Sequence, residues 1–329
     1  MAPPRATIVA TQKNEGIFLV EWIAHHLGIG FDHIVIATND CDDGSVELIE
    51  EIARRFPVSR IENSDILEGH TIQSSATTRG LRHAEVRSSD WVMHIDIDEF
   101  VNLPTVQPQI KPFLARFPDA DAVALMWRMF GDAKRQHWDG GQVTEAFLFA
   151  QDITKEDGVR AHKTIFRPGS FTSTTPHMPK GPLKPAEALR VVNTRGEALP
   201  VDRHYDDRHS AYRLPEALHA WDHAYVNHYA VKSADLSAIK LQRGDANGRS
   251  TRHRKAGSRQ FEEFNRNTVV DPTILRTRPA RMRLMNQMLS HPAILEAHLA
   301  CLEWFFTRKR MLAVQGNPAS VTVARVDSA

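Results

Sequence analysis

The first hundred residues alternate between short apolar runs and amphipathic stretches, and that order constrains the fold more than any other feature. Thr7 to Thr11 reads as a strand. Glu15 to Leu27 then sets Phe18, Trp22, Ile23 and Leu27 at helical spacing, with Gly28 as a natural stop. His33 to Thr38 is continuously apolar, as a strand buried on both faces is. Val46, Ile49, Ala53 and Phe56 form a second helical stripe ended by Pro57. Val58 to Ile61 predicts a short strand, Thr71 to Val86 a more polar helix, and Trp91 to Ile95 a fourth strand. Helices between buried strands imply right-handed βαβ units and a doubly wound, mostly parallel α/β sheet. Ligands of such sheets bind outside the C-terminal strand ends.

Three of those ends are polar. Strand one runs into Gln12, Lys13, Asn14 and Glu15, strand two into Asn39 to Gly44, and strand four into Asp96, Ile97, Asp98 and Glu99. No GxGxxG follows the first strand and no GxxxxGK[ST] occurs, so dinucleotide and P-loop sites lose their main support. A diphosphate bound among these carboxylates needs a divalent cation between them. Side chains alternate along a strand, so Asp96 and Asp98 project to one side while Ile95 and Ile97 face the core. Two adjacent carboxylates repel and are costly to desolvate, and Mg²⁺ or Mn²⁺ relieves both problems. The bland alternative is an exposed turn with helix-capping acids. A phosphatase-type Asp-x-Asp is rejected, because that pattern continues Gly-Thr near the start of its sheet.

Composition narrows the function classes. The 329 residues suit roughly two domains, or one large domain with an appendage. Lys+Arg 41 against Asp+Glu 40 leaves a formal charge of +1, so no overall electrostatic case for nucleic acid exists. Two cysteines, Cys41 and Cys301, cannot form a disulfide framework or a thiolate cage. No apolar run reaches the ~18 residues that cross a bilayer, and the N-terminus lacks the h-region of a secretory signal. A cytoplasmic location is expected, with room for peripheral contact at the inner face of a membrane.

Beyond Phe100 the alternation loosens. Ala120 to Trp127 and Ala161 to Arg167 read as strands, and Pro168 to Pro200 as mostly loop. A helix is predicted from about Ser233, and Lys240 and Arg243 lie on one face of it. Together with Lys232 these cations suit a diphosphate leaving group, or else a plain solvated face. The stretch Gly248 to Arg259 carries five Lys or Arg and no acid, and reads as a loop. Two amphipathic helices broken near Pro292 follow over about 279–313 and are expected to pack on the main domain.

Lys13-Asn14-Glu15, Glu21-Trp22, Ile34 to Asn39, Asp43-Gly44-Ser45 and Asp96 to Phe100, followed by Asn227-His228-Tyr229, Lys232-Ser233 and Lys240…Arg243-Gly244, resemble the bacterial family-2 glycosyltransferases, in the branch similar to family 92. The resemblance covers about residues 5 to 245. It implies a GT-A fold with a C-terminal helical extension: a glycosyltransferase domain over 1–245, with a nucleotide-binding half to about 100 and an acceptor half beyond, then the basic loop and helices of 246–329. It implies an inverting transfer of a sugar from a nucleotide donor, a UDP-sugar favoured, to a glycan or lipid-linked acceptor.

Carried over to this chain, the resemblance puts Asn14, Glu15, Asn39 and Asp43 in the nucleoside pocket. Asp96 contacts ribose or the metal's water shell, and Asp98 and His228 bind the metal. His177 is a weaker candidate for the same role or for acceptor contact. Asp43 has an alternative as a helix cap. Glu145 and Asp132, on the expected acceptor side, are candidates for the general base. Relatives often carry Asp where this chain has Thr38 or Asn39, which leaves recognition of the base open. Nucleotidyl transfer and a non-catalytic nucleotide-sugar-binding protein are the competing classes.

Overall fold

The computed structural model of the protein describes residues 3–155, 160–206, 212–242 and 256–314. Its first part follows the alternation read above: β1 (Ala6–Gln12), α1 (Gly16–Gly28), β2 (His33–Thr38), α2 (Ser45–Ala53), β3 (Val58–Glu62), α3 (Ile72–Arg82), α4 (Ala84–Arg87) and β4 (Trp91–His94). The four strands are parallel in the order β3-β2-β1-β4, with Ile8 opposite Ile34 and Met93. The single polar helix expected over 71–86 is two helices. His83 is extended between them, and its Nδ1 accepts from the Glu85 N–H to cap α4.

The remaining elements are β5 (Glu99–Asn102), α5 (Ile110–Leu114), β6 (Ala122–Met129), α6 (Val143–Ala146), β7 (Phe149–Ala150), β8 (Arg160–Phe166), β9 (Phe171–Thr174), β10 (Pro179–Pro182), β11 (Val191–Asn193), α7 (Asp202–Tyr205), β12 (Arg213–Leu214), β13 (Tyr225–His228), α8 (Ala234–Gln242), α9 (Arg259–Phe264), β14 (Val269–Val270), α10 (Arg278–Leu289) and α11 (Pro292–Val314). The sheet continues from β4 through β8 and β6 to β13 and β5, with β8 antiparallel to both its neighbours. β6 pairs with β11 along its first half and with β13 along its last residues.

Pro168 to Pro200 is therefore less loop-like than its composition implies. It holds the β9–β10 hairpin and β11, where Val191 and Val192 supply a β-branched pair that joins the main sheet.

The short link between β4 and β5 places the site. Four strand spacings separate the two in sheet order, about 19 Å in a flat sheet. Five extended residue steps span at most about 18 Å. The link is not even extended, because the Glu99 N–H turns back to the Asp96 carbonyl at 3.0 Å. The sheet must curl, and Asp96 to Asp98 sit in the bend. Ile95 and Ile97 are buried, as alternation predicts.

One apolar core joins β1, α1, β2, β4 and the bend to Met288 of α10 and Ile294, Cys301 and Phe305 of α11. The C-terminal helices thus pack on the sheet domain, against α1 and α2. The proposed boundary at 245/246, Arg243 and most of the basic stretch lie outside the described residues. Among the described residues no helix is long and apolar enough to cross a membrane.

Candidate functional site

A cleft of about 830 Å³ opens at the C-terminal ends of the parallel strands, where the fold rule places ligands. Thr11 and Gln12 from β1, Asn39 after β2, and Asp96 and Asp98 from the bend line it. Trp127 of β6, His228 of β13, Lys240 of α8 and much of α9 complete the walls. β13 pairs with β5, His228 opposite Glu99, and with β6, which sets the ends of β13 and β6 beside the bend.

Each aspartate has its own cation. The Lys163 ammonium, fully buried on β8, lies 3.1 Å from Asp96 Oδ2 and 3.1 Å from Glu99 Oε2, and donates to the Pro176 carbonyl at 2.7 Å. Burial works to raise the Asp96 carboxyl, but Lys163 and His94 outweigh it and hold it below the ordinary value. Glu99 is pushed well above its ordinary value by burial, opposed by Lys163 and reinforced by the two aspartates. Of the two carboxyls, Asp96 is thus the one held toward its charged form. Asp98 Oδ2 lies 2.5 Å from Lys240 Nζ. Burial again works upward on Asp98, and Lys240, His228 and Lys232 hold its carboxyl well below the usual range.

His228 Nε2 faces Asp98 Oδ1 at 3.7 Å, too far for a hydrogen bond, and its Nδ1 is buried without a partner. Burial pushes the imidazole down to about 4 against the pull of Asp98, so the ring is neutral near pH 7. A neutral imidazole beside a carboxylate is a donor pair for a cation. Among the described residues no three His, Cys, Asp or Glu side chains form a metal cage by themselves, and one Asp96 oxygen is taken by Lys163. Hard cations such as Mg²⁺ commonly keep waters and take substrate phosphates alongside one or two carboxylates. Asp98 and His228 therefore fit a cation held jointly with a diphosphate, and not a closed structural site.

The other residues singled out from the sequence separate into two groups. Glu15 and Asn39 line the cleft, and the Asn39 Oδ1 is buried and unpartnered. Asn14 sits at positive φ and exchanges hydrogen bonds with Asp42 at the edge of a narrow adjoining crevice. Asp43 lines that crevice, but both its oxygens accept backbone N–H groups, from Gly16 at 2.7 Å and Ser45 at 3.1 Å. It ties the starts of α1 and α2 together, while the N-cap position of α2 itself is Gly44. Lys232 also lines the crevice, donates to the Tyr229 carbonyl and lies over the Phe18 ring.

Neither base candidate lines the cleft. Glu145 accepts from Arg278 at 2.8 Å and Arg281 at 3.1 Å. Asp132 is held by the Asn265 and Asn267 amides and the Lys134 N–H. Residue type alone could not reveal these partners, which lie more than 130 positions away for Glu145.

Sequence reasoning missed Lys163, Trp127 and α9. Trp127 is flanked by His228 at 4.3 Å and His177 at 4.9 Å, and His177 stacks on Tyr212 at 3.8 Å. The signal for Lys163 was a lysine at the centre of a strand that ends in Ile165 and Phe166, where a buried charge needs a partner.

With this geometry in place, comparison with known proteins identifies the fold's carrier. The sequence model of glycosyltransferase family 92 matches residues 9–229. The chain belongs to glycosyltransferase family 92. Family 92 proteins of Ricinus communis and Arabidopsis thaliana are each 26% identical to it, over 179 and 169 residues, which are 52% and 49% of this chain but 30% and 28% of theirs. One of Oryza sativa is 27% identical over 199 residues, 59% of this chain and 32% of that one. The chain thus spans about a third of the length of these curated relatives.

Among solved structures, residues 1–349 of Staphylococcus aureus TarS align over 95% of this chain and 92% of that one at 13% identity and a TM-score of 0.37. Mycobacterium tuberculosis glucosyl-3-phosphoglycerate synthase, solved with Mn²⁺ and UDP-glucose, aligns over 38% and 44% at 17% identity and a TM-score of 0.28. These likenesses are distant, and membership of family 92 rests on the sequence match.

Proposed function

We propose that this family 92 protein is a metal-dependent, inverting glycosyltransferase of the wider family-2 group. It takes a sugar from a nucleoside diphosphate donor, a UDP-sugar favoured, to a hydroxyl of a glycan or lipid-linked acceptor. The observation that carries the reading is the meeting of Asp96, Asp98, His228 and Lys240 with Asn39 and Glu15 on one cleft. The acidic strand tip suits a diphosphate only through cations, and the chain supplies some of those itself.

Asn39 and Glu15 receive the nucleoside, the unpartnered Asn39 Oδ1 accepting an N–H or O–H from it. Asp96, fixed by Lys163, offers its remaining oxygen to ribose or to water. Asp98 and His228 would hold Mn²⁺ or Mg²⁺, which supplies Lewis-acid neutralisation of the departing diphosphate. Lys240 adds a charge-assisted hydrogen bond to the same group. The acceptor hydroxyl must lose its proton on the opposite side of the anomeric carbon. Glu262 and Glu263 of α9 are cleft carboxylates outside the strand ends, and the base falls to one of them. The rings of the Trp127–His177–Tyr212 wall, half-buried at His177 and Tyr212, suit the acceptor. Cytoplasmic location, with peripheral membrane contact, fits such donors.

A screen of nucleotide sugars for hydrolysis with and without Mn²⁺ tests the reading. The expected result is metal-dependent release of a nucleoside diphosphate, reduced about a hundredfold or more by Asp98→Ala in a protein that keeps its circular dichroism. Turnover indifferent to both metal and Asp98 would overturn it.

A further inference from the structure

The two aspartates of the bend are compensated in different ways. Lys163, which serves Asp96, has no exposed side-chain surface and is anchored by three oxygens. Its removal from Asp96 would bury an unpaired charge, so that pair is permanent. Lys240, which serves Asp98, is 23% exposed and reaches inward from α8. Among the described residues its only further oxygen partner is the Ala230 carbonyl, at a loose 3.4 Å. It also stands in the wall between the large cleft and the adjoining crevice and lines both, so its ammonium can swing without unpacking the helix.

Lys240, on Asp98 Oδ2, and a dication held by Asp98 and His228 compete for the charge of the same carboxylate. Its Nζ is 2.5 Å from Asp98 Oδ2, and a bound Mg²⁺ would stand about 2.1 Å from a carboxylate oxygen. Both cannot occupy that short range without strong repulsion. A ligand that removes the competitor raises the affinity of what it competed with, and the coupling is reciprocal. A diphosphate entering the cleft offers oxygens both to the metal and to a displaced ammonium.

We infer that Lys240 is an exchangeable counter-ion of Asp98, which blocks the divalent cation until a nucleoside diphosphate draws the ammonium away. Lys240 thereby makes metal and nucleotide bind together. The inference rests on the function proposed above and adds the order of assembly of the site. It makes the empty cleft electrically neutral at Asp98 and gives free metal little hold there.

The test is Mn²⁺ binding to the full chain, followed by electron paramagnetic resonance, with and without UDP, for the parent, Lys240→Met and Lys240→Gln. The parent should bind Mn²⁺ about tenfold or more tightly with UDP present. Both variants should bind Mn²⁺ without UDP about tenfold more tightly than the parent, and UDP should then add only a few-fold. Asp98→Asn placed on Lys240→Met should remove that gain. If the parent binds Mn²⁺ with UDP but the variants bind free Mn²⁺ no better than the parent, the counter-ion role is overturned and the proposed transferase stands. If no form binds Mn²⁺ under any condition, both fall.

Discussion

Lys163 Nζ lies 3.1 Å from Asp96 Oδ2, with none of its side chain exposed, and this contact fixes the first aspartate of the bend. The same ammonium touches Glu99 and the Pro176 carbonyl. It thus joins the bend to the loop that carries His177 into the cleft.

Removing that cation should be costly. Lys163→Met leaves the half-buried Asp96 carboxylate without its cation, and the expected loss is about 1–3 kcal/mol. Glu99 is pushed toward its neutral form by burial, so the uncompensated charge is that of Asp96. Asp96→Asn added to Lys163→Met should therefore recover more stability than Glu99→Gln does. Guanidinium titrations of the three proteins decide this, and a larger recovery from Glu99→Gln would place the charge on the wrong residue.

Glu145 and Asp132 can be tested as bases directly. Their carboxylates are engaged by Arg278 and Arg281, and by Asn265, Asn267 and Lys134. Glu145→Gln should keep kcat for donor turnover within about threefold while costing about 1–3 kcal/mol, because it weakens the partner of the buried Arg281. Asp132→Asn should likewise spare kcat. A drop of a hundredfold at unchanged thermal stability, in either variant, would return that residue to the catalytic role.

How much of this was legible beforehand depends on the range of the interactions. The βαβ order, the facing of Ile95 and Ile97, and the cleft at the strand ends follow from periodicity, a local property. The coming together of Asp98 with His228 and Lys240 spans more than a hundred residues, and only the resemblance suggested it. Lys163 was hidden because its strand also carries Arg160, His162 and Thr164, among which one more polar residue draws no notice, and the carboxylates that make its burial tolerable come from another strand's end. That Glu145 and Asp132 lie off the cleft was not legible, because the arginine and asparagine partners that hold them come from the C-terminal region, more than 130 residues away. β5 was invisible because its residues begin inside the acidic motif, and only the antiparallel partner β13 makes them a strand.

Gly16 is where α1 meets α11. Its N–H donates to Asp43 Oδ2 at 2.7 Å, and a Cβ there would stand 2.5 Å from Cys301 Sγ and 2.9 Å from that same oxygen. Gly16→Ala should cost about 1–3 kcal/mol by overpacking. Cys301→Ala in the same chain should recover part of the loss by opening space. Urea midpoints measure both. An alanine variant as stable as the parent would mean that α11 does not press on this helix start.

Acid should unfold the protein well above the carboxylate range. Burial holds His25 and His162 down to about 3 and His94 and His228 down to about 4. In the unfolded chain each titrates near 6.5. Above that pH neither state is protonated and the four histidines are neutral to stability. As pH falls from about 6.5 toward 4, the unfolded chain takes up protons that the folded chain refuses. Each histidine then removes about 1.4 kcal/mol of stability per pH unit. Four together approach, by about pH 5, the ~5–15 kcal/mol that holds a typical domain folded. Asp96 and Asp98, whose carboxyls are held low, keep their contribution until the pH falls below the ordinary carboxylate value near 3.8. The far-ultraviolet circular dichroism should therefore collapse with a midpoint near pH 5, and His162→Gln should move that midpoint to lower pH. Stability unchanged between pH 7 and 4.5 would show that these imidazoles take protons in the folded state.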